Sequence, residues 1–290
     1  MNNKIMGNKI LNNKHDLPYL IAEIGINHNG DLEIAKKLID ATNACNWDCV
    51  KFQKRNPDIC VPNDQKGVMR ETPWGRMKYI EYKYKVEFGK QEYDIIDEYC
   101  NNKPLDWTVS VWDLDSLNFI KDYNVPFIKI PSAHITNEEL LSESTKTRIP
   151  IIISTGMSTW KMIDNAVEIL EKGNASYAVL HCNSTYPAPI DELNLNIIPV
   201  MKKRYGCMIG YSGHEYDLDP SVLAVAMGAE IIERHITLDH NMWGTDHKSS
   251  LEVHAMDLLK KRIKDVNKML GGTEKIITPS EEPVMKKLRG

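Results

Sequence analysis

The 290-residue sequence has no long run of apolar residues and no excess of charge of one sign. A helix that crosses a bilayer needs about 20 consecutive apolar residues, and the polar start, residues 1–14, lacks the apolar core of a secretory signal. With 36 basic and 40 acidic residues the net charge is −4, so no electrostatic footprint for nucleic acid or an anionic membrane is present. A small anionic ligand would need a local cluster of cations.

Cysteine pairs in the CxxC arrangement are also missing. The six cysteines are spread along the chain, at Cys45, Cys49, Cys60, Cys100, Cys182 and Cys207. Because no group of them has the spacing of a metal site or a disulfide framework, we expect reduced, mostly buried thiols in a cytoplasmic protein.

Short β-rich runs alternate with amphipathic helical stretches along the whole chain. Most of these runs are continuously apolar, which is typical of parallel strands covered on both faces. Eight strands are predicted, at residues 19–23, 49–53, 107–111, 127–130, 151–154, 177–182, 208–211 and 230–235. The helix after the last strand has an apolar face formed by Val253, Met256, Leu259, Ile263, Val266 and Leu270.

Eight strand–helix units predict an α/β protein, a single (β/α)8 TIM barrel over residues 1–290; such barrels have about 250 residues. An open doubly wound sheet is the alternative, but no GxGxxG turn follows the first strand. Two segments fall outside the repeat. Residues 1–17 are expected to form an N-terminal extension, a small hairpin. Residues 54–89 are too long for a plain loop and predict a flap over one side of the site, or a packed aromatic cluster without function.

Polar residues stand at the carboxyl end of every predicted strand, where barrel active sites lie. They include Glu23, Lys51, Gln53, Ser110, Lys129, Ser132, Ser154, Asn183, Ser212, His214 and His235. Because burial of polar groups costs free energy, so many of them indicate a ligand site. Small hydroxyl- and glycine-rich turns offer N–H groups to anions, and Lys51 and Lys129 add positive charge for a phosphate or carboxylate.

His214 follows the seventh predicted strand and His235 ends the eighth, and these strands are neighbours in a barrel. Two imidazoles at this place could share a borderline metal such as Mn²⁺, Zn²⁺, Co²⁺ or Fe²⁺. The pair could equally perform acid–base chemistry. Four further histidines compete as ligands: His28, His181, His240 and His247.

Six motifs stand in order at these strand ends. They are IAEIGINHNGD at residues 21–31, VKFQ at 50–53, STGM at 154–157, STYP at 184–187, GYSGH at 210–214 and GTDH at 244–247. Together they resemble the N-acetylneuraminate (sialic acid) synthase family. The resemblance implies condensation of phosphoenolpyruvate with a sugar aldehyde, such as N-acetylmannosamine, to a 3-deoxy-2-keto sugar acid and phosphate.

The same resemblance implies roles for individual residues. His214 and His235 would be the metal ligands, with Mn²⁺ expected and Mg²⁺ or Co²⁺ as alternatives. Phosphoenolpyruvate would be bound by Lys51, Lys129, Ser132, Ser154, Asn183 and Ser212. The sugar would be bound by Gln53, Tyr186 and Asp246, and the catalytic residues would be Glu23, Asp246 and His134. His134 stands where the family commonly has a glutamate, so it could act as acid or base or merely pack.

The family usually continues into an antifreeze-like domain whose arginine reaches the N-acetyl group across a dimer. This chain stops at Gly290, so we expect the catalytic barrel alone, a homo-oligomer formed through the barrel, and weak preference for an acetamido sugar. The aldose is left open and could be phosphorylated, since Lys54, Arg55, Arg70 and Arg76 could bind a second phosphate. A metal-dependent aldolase acting on a keto acid, and a catalytically silent sugar-binding barrel, are the alternatives.

Overall fold

A computed structural model describes residues 17–290, in which eight parallel strands close into a barrel. In chain order the strands are β1 (Tyr19–Gly25), β2 (Cys49–Lys54), β3 (Met69–Arg70), β4 (Met77–Lys78), β5 (Asp106–Val111), β6 (Ile128–Ile130), β7 (Ile151–Ser154), β8 (Tyr177–Cys182), β9 (Met208–Gly213) and β10 (Ile231–His235). The barrel order is β1-β10-β9-β8-β7-β6-β5-β2, and β3 and β4 form a separate antiparallel ribbon. The eight predicted barrel strands are confirmed; the hairpin expected at the N-terminus lies outside the described residues.

Helices cover the outside of the barrel. Numbered α1 to α12 in chain order, they are Leu32–Ala44, Pro57–Cys60, Asn63–Lys66, Tyr79–Val86, Lys90–Asn101, Leu114–Ile120, Glu138–Lys146, Trp160–Lys172, Ile197–Tyr205, Asp219–Ala226, Val253–Leu270 and Glu281–Arg289. The predicted apolar face of α11 is buried from Met256 to Val266. It ends one turn earlier than predicted, because Leu270 at the last turn is 57% exposed.

The barrel interior changes from apolar to charged along the strands. Its amino-terminal part is filled by Tyr19, Ile21, Cys49, Phe127, Ile152, Ala178, Leu180 and Ile231. Side chains alternate along a strand, so the residue two positions further on points into the same interior. In six strands that residue is polar: Glu23, Lys51, Lys129, Ser154, Cys182 and Glu233. These six residues form a polar layer next to the apolar part of the core.

Residues 54–89, the flap, fold into α2, α3, the β3–β4 ribbon and α4. The two ends of the flap are joined by Lys54 Nζ and Glu87 Oε1, 2.6 Å apart. The buried ring of Tyr82 meets Trp243 edge to face, with ring centroids 5.2 Å apart. The flap is therefore packed on the loop after β10, beside the barrel mouth.

Two further features bear on the expectations from sequence. All six cysteines are free thiols, and only Cys60 is not fully buried. Across residues 17–290, no helix combines the length and apolarity that a membrane crossing requires.

Candidate active site

A cavity of about 170 Å³ opens at the carboxyl ends of the barrel strands, and we call it the inner cavity. It is lined by residues from all eight barrel strands and their loops: Glu23, Lys51, Gln53, Ser110, Trp112, Lys129, Pro131, Ser132, Ala133, Ser154, Met157, Cys182, Ser184, Tyr186, Ser212, His214, Glu233 and His235. A larger groove of about 1140 Å³ lies beside α7 and α8. That groove contains none of the residues predicted for the site, so the chemistry belongs to the inner cavity.

Two lysines at the base of the inner cavity are almost completely buried, each 2% exposed. Lys51 Nζ lies 2.5 Å from Glu23 Oε2 and donates to Ser110 Oγ at 2.8 Å. Lys129 Nζ donates to Ser154 Oγ at 2.6 Å. Strand register produces these contacts, since Lys51 is paired with Glu23 across β1 and β2. Two buried ammonium groups in one small cavity are suited to an anionic ligand.

Glu233 connects the two lysines. Its Oε1 lies 3.7 Å from Lys51 Nζ and 3.4 Å from Lys129 Nζ, and it accepts a hydrogen bond from Ser212 Oγ at 3.0 Å. Burial alone would raise the pKa of Glu233, but the two lysines outweigh it and lower the pKa to about 2. Glu233 is therefore an ionised carboxylate that neutralises positive charge when no anionic ligand is bound.

The two lysines differ in their electrostatic surroundings. Burial lowers the pKa of Lys129. Burial has the same effect on Lys51, but Glu23 and Glu233 outweigh it and raise the pKa of that lysine. Burial also raises the pKa of Glu23, which makes this carboxylate a better proton acceptor than an exposed one.

Hydroxyl groups and a backbone N–H extend the anion-binding surface from the lysines toward the β7 loop. Gly156 N donates to Ser132 Oγ at 2.9 Å. A Cβ at Gly156 would lie 2.0 Å from Ser184 Oγ and 2.9 Å from Ser132 Oγ, so only glycine lets these groups come together. Converging hydroxyl and N–H dipoles are a common binding surface for phosphate oxygens.

His214 and His235 face each other across the mouth of the inner cavity, with ring centroids 5.6 Å apart. His214 Nδ1 lies 2.6 Å from the carbonyl oxygen of Asn183, so that nitrogen carries a proton and Nε2 is the atom left to face a ligand. Tyr186 Oη lies 2.8 Å from the same Nε2. Burial lowers the pKa of His235 to about 3, so its imidazole is neutral.

These two imidazoles fit a metal ion of borderline softness. The buried Nδ1 of His235 has no hydrogen-bond partner within the described part of the chain, and His214 has the tautomer that a ligand needs. Residues 17–290 contain no cluster of three or more His, Cys, Asp or Glu side chains arranged as metal ligands. Two nitrogens would thus come from the protein, and water or substrate oxygens would complete the coordination.

The competing histidines are engaged elsewhere. His181 Nε2 lies 2.6 Å from the carbonyl oxygen of Leu193, and His28 stacks on Phe88 with ring centroids 4.0 Å apart. His247 Nδ1 lies 2.7 Å from Thr237 Oγ1. These contacts give the three side chains structural roles. His240 binds the carbonyl oxygen of Ser250.

Three predicted residues do not line the inner cavity. The ring of His134, which ends the 3-10 turn after β6, packs edge to face on Trp112, at 5.2 Å between centroids. The side chain of Asn183 accepts from Thr185 N at 2.9 Å, so only the Asn183 backbone reaches His214. Asp246 is near enough to His235 for its charge to raise the pKa of that imidazole, against the larger effect of burial.

Eight residues of the inner cavity were given no individual role by the sequence: Ser110, Trp112, Pro131, Ala133, Met157, Cys182, Ser184 and Glu233. The position of Glu233 could have been predicted, because it stands two positions before His235 and therefore on the same face of β10. The intervening Arg234 points to the opposite face and pairs with Glu215 at 2.9 Å. Alternation within the strand therefore separates the two charges that neighbour each other in sequence.

Fold and inner cavity together define a TIM barrel whose mouth holds two buried lysines beside a pair of histidines, as suits an enzyme for a small anionic substrate. The NeuB family model matches residues 38–275. An N-acetylneuraminate-9-phosphate synthase of Drosophila melanogaster is 37% identical over 99% of this chain and 76% of its own length. An N,N'-diacetyllegionaminic acid synthase of Campylobacter jejuni is 34% identical over 91% of this chain and 80% of its own length.

A solved structure shows the same architecture. The N-acetylneuraminic acid (sialic acid) synthetase of Leptospira borgpetersenii, crystallised with citrate, is 31% identical and superposes with a TM-score of 0.82. The superposition covers 94% of this chain and 93% of that one. The chain therefore belongs to the NeuB family.

Proposed function

We propose that the inner cavity joins phosphoenolpyruvate to a sugar aldehyde and releases phosphate, as expected of a sialic acid-type synthase. Carbon 3 of phosphoenolpyruvate forms a bond to the aldehyde carbon, and the aldehyde oxygen takes up a proton. Water adds to carbon 2, and phosphate leaves with cleavage of its C–O bond, which gives a 3-deoxy-2-keto sugar acid. The observation that carries the proposal is the buried lysine pair, Lys51 and Lys129, held by the shared carboxylate of Glu233.

Phosphoenolpyruvate carries a carboxylate and a phosphate, and the inner cavity offers a binding surface for each. Lys51 and Lys129 supply two positive charges, and Ser154 and Ser212 lie beside them. Ser132 and Ser184 converge near the Gly156 N–H and supply hydroxyl donors. Preorganised donors in a site with little water stabilise developing charge better than water does.

The sugar aldehyde would bind at the opposite wall of the inner cavity. Gln53 Nε2 donates to Glu23 Oε1 at 3.1 Å, and Gln53 Oε1 accepts from Arg55. The second N–H of the Gln53 amide would then donate to the sugar. Glu23, whose pKa burial raises, would take a proton from the attacking water. Tyr186 would contact the aldose from above the histidines.

His214 and His235 would hold the divalent ion, for which Mn²⁺ is our first choice. When bound, such an ion acts as a Lewis acid that polarises a carbonyl oxygen. The hydroxyl of Tyr186 must then give up its bond to His214 Nε2, which frees it for the sugar.

The relatives reported above are synthases, and the keto-acid aldolase alternative finds no support among them. The cytoplasmic location and the homo-oligomer stay predictions, the latter to be checked by light scattering coupled to gel filtration.

The test is to incubate the protein with phosphoenolpyruvate, Mn²⁺ and a panel of aldoses and to follow the enol absorbance and inorganic phosphate. We expect both signals to change together with at least one aldose, N-acetylmannosamine or a relative. An aldolase would release no phosphate. A protein that leaves phosphoenolpyruvate unchanged with every aldose would contradict the proposal.

A further inference from the structure

Four buried polar side chains lie behind the segment that carries His214, on the outer side of the barrel wall. They are Tyr211, Glu215, Ser221 and Arg234, and we call them the outer cluster. Each is between 0% and 1% exposed, and all four lie outside the lining of the inner cavity. Because burial of charged and polar groups costs free energy unless they find partners, the contacts of the outer cluster show what it stabilises.

Arg234 holds the chain that follows His214 at several points. Its Nη1 donates to the carbonyl oxygen of Asp217 and to Ser221 Oγ, both at 3.0 Å. Its Nη2 donates to the carbonyl oxygen of Glu215. Ser221 belongs to α10, so one guanidinium joins the residue after His214 to the helix that follows. The planar fork of an arginine carries five N–H donors and can bind several oxygens at once.

The carboxylate of Glu215 folds back against the end of β9. Its Oε1 lies 2.9 Å from Arg234 Nη1, and its Oε2 accepts from Tyr211 Oη at 2.8 Å. A Cβ at Gly213 would lie 2.7 and 2.8 Å from the two carboxylate oxygens, so only glycine leaves room for them. Gly213 and Glu215 flank His214, and one carboxylate therefore fixes the backbone on both sides of that histidine.

β10 contributes to the positions of both histidines. Its inward face carries Glu233 and His235, and its outward face presents Arg234 to the outer cluster. Strand register pairs Arg234 with Gly213, the residue before His214. His235 thus projects from β10 itself, and the residue beside it in sequence holds the segment that supplies His214.

The other restraints on His214 come from the loop after β8. Its carbonyl oxygen accepts from Ala188 N at 3.2 Å, and its Nδ1 lies 2.6 Å from the carbonyl oxygen of Asn183. These contacts orient the ring, whereas the outer cluster determines where the backbone of His214 lies relative to β10. The two sets of contacts are therefore needed together to place Nε2 opposite His235.

We propose that Arg234 and Glu215 are positioning residues that fix the separation of His214 and His235 and thereby determine the affinity of this pair for a divalent ion. The inference rests on the proposed function, which assigns the two histidines to the metal. Neither Arg234 nor Glu215 would touch the ion or a substrate, since both act through the backbone around His214. Loss of a partner that orients a metal ligand typically costs about 10–100-fold in metal affinity.

The test measures Mn²⁺ binding to the metal-free protein through the electron paramagnetic resonance signal of the free ion. Arg234→Lys keeps a positive charge but loses the fork of donors, and Glu215→Gln keeps the shape but loses the negative charge. We expect each variant to bind Mn²⁺ about 10–100-fold more weakly, and Tyr211→Phe to show a smaller loss. At saturating Mn²⁺ the KM for phosphoenolpyruvate should change much less, because the lysines of the inner cavity are untouched.

A second readout needs no metal. The proton on His214 Nδ1 is shielded by its bond to the carbonyl oxygen of Asn183. It should give a ring N–H resonance in protein labelled with ¹⁵N-histidine, identified by its loss in His214→Ala. We expect this resonance to shift, or to exchange faster with water, in Arg234→Lys and Glu215→Gln.

Two control variants separate positioning from general stability. Tyr177→Phe removes the same kind of bond from another buried tyrosine, whose hydroxyl donates to Glu171 Oε1 at 2.9 Å. Ile96→Ala opens a cavity under α5, which precedes β5, the strand opposite β9 in the barrel order. Both controls should retain the wild-type Mn²⁺ affinity and the His214 resonance.

Unchanged Mn²⁺ affinity in folded Arg234→Lys and Glu215→Gln, or an equal loss in Ile96→Ala, would overturn the inference. If the wild-type protein binds no Mn²⁺, the metal assignment fails instead, and the His214 resonance decides the positioning role alone. A change of that resonance in the two variants then supports the role, and its retention refutes it. If neither variant folds, Tyr211→Phe, which removes only a hydroxyl, decides by the same readouts.

Discussion

The inner cavity and a groove of about 680 Å³ between the flap and the loop after β10 both collect positive charge, but they neutralise it differently. Lys51 and Lys129 are 2% exposed and share the carboxylate of Glu233. Arg70 and Lys83 lie nearer to solvent on aromatic rings, with no carboxylate at ion-pair distance in the described chain. A buried charge without a partner costs several kcal/mol, whereas a hydrated one does not. Folding therefore constrains the inner cations together with their partners, whereas it leaves the cations of the groove to be balanced by solvent and aromatic rings.

The largest effect is expected from Lys129→Met, which removes one of the two buried cations of the inner cavity. The variant leaves Glu233 with one cation fewer, and removal of one partner from a buried pair costs about 3–5 kcal/mol of unfolding free energy. It also removes a hydrogen-bond donor to the bound anion. The value of kcat/KM for phosphoenolpyruvate should therefore fall by an amount equivalent to about 2–4 kcal/mol of lost transition-state stabilisation. Urea denaturation and steady-state kinetics measure the two losses.

A paired variant separates these losses. Lys129→Met with Glu233→Gln removes both buried charges, so stability should return in part while activity stays low. Lys172→Met, at an exposed pair with Glu168, is the control and should change neither quantity. Normal stability in Lys129→Met alone would show that Glu233 does not depend on that lysine.

The next effect concerns the metal. His214→Ala and His235→Ala each remove one of the two nitrogens proposed to hold the metal, so we expect loss of bound Mn²⁺ by equilibrium dialysis and loss of turnover of about 100-fold or more. Chelation should abolish turnover in the wild-type protein, and Mn²⁺ should restore it. His240→Ala, at a histidine outside the inner cavity, should retain metal and activity. Full turnover after exhaustive chelation would contradict the assignment of the metal site.

A smaller effect is expected at Gly25, where β1 passes the inner cavity. Its φ is +57°, and a Cβ there would lie 3.2 Å from Glu23 Oε1 and 3.3 Å from His235 Cε1. Gly271 has a φ of +58° with open space around it. Alanine at either position should cost about 1–2 kcal/mol of stability through the left-handed backbone. Only Gly25→Ala should also lower kcat; equal kinetics in the two variants would show that the Cβ is accommodated.

The barrel and the inner cavity were largely predictable from sequence. Parallel strands covered on both faces are continuous apolar runs, and their carboxyl ends placed Lys51, Lys129, His214 and His235 around one mouth. Glu233 was overlooked, although the two-residue alternation along β10 puts it on the face of His235. Because side chains alternate regularly along a strand, the face on which a strand residue lies can be predicted from its position in the sequence.

Loop positions were less predictable, because sequence spacing does not specify the path of an irregular segment. His134 was expected near the reacting groups, and its ring instead packs on Trp112. Lys54 and Arg76 were grouped with Arg55 and Arg70, but Lys54 is paired with Glu87, which lies 33 positions further along the chain. Such partners are determined by the fold of the flap, which has no repeating pattern.

The central claim is that the inner cavity joins phosphoenolpyruvate to an aldose with cleavage of the C–O bond. The most direct measurement uses phosphoenolpyruvate labelled with ¹⁸O at the bridging oxygen, an accepted aldose and Mn²⁺, with mass analysis of the released phosphate. We predict one phosphate for each phosphoenolpyruvate consumed, and the bridging label in that phosphate. Phosphate without the label would mean that the P–O bond is cleaved, and consumption of phosphoenolpyruvate without a matching keto sugar acid would contradict the account as a whole.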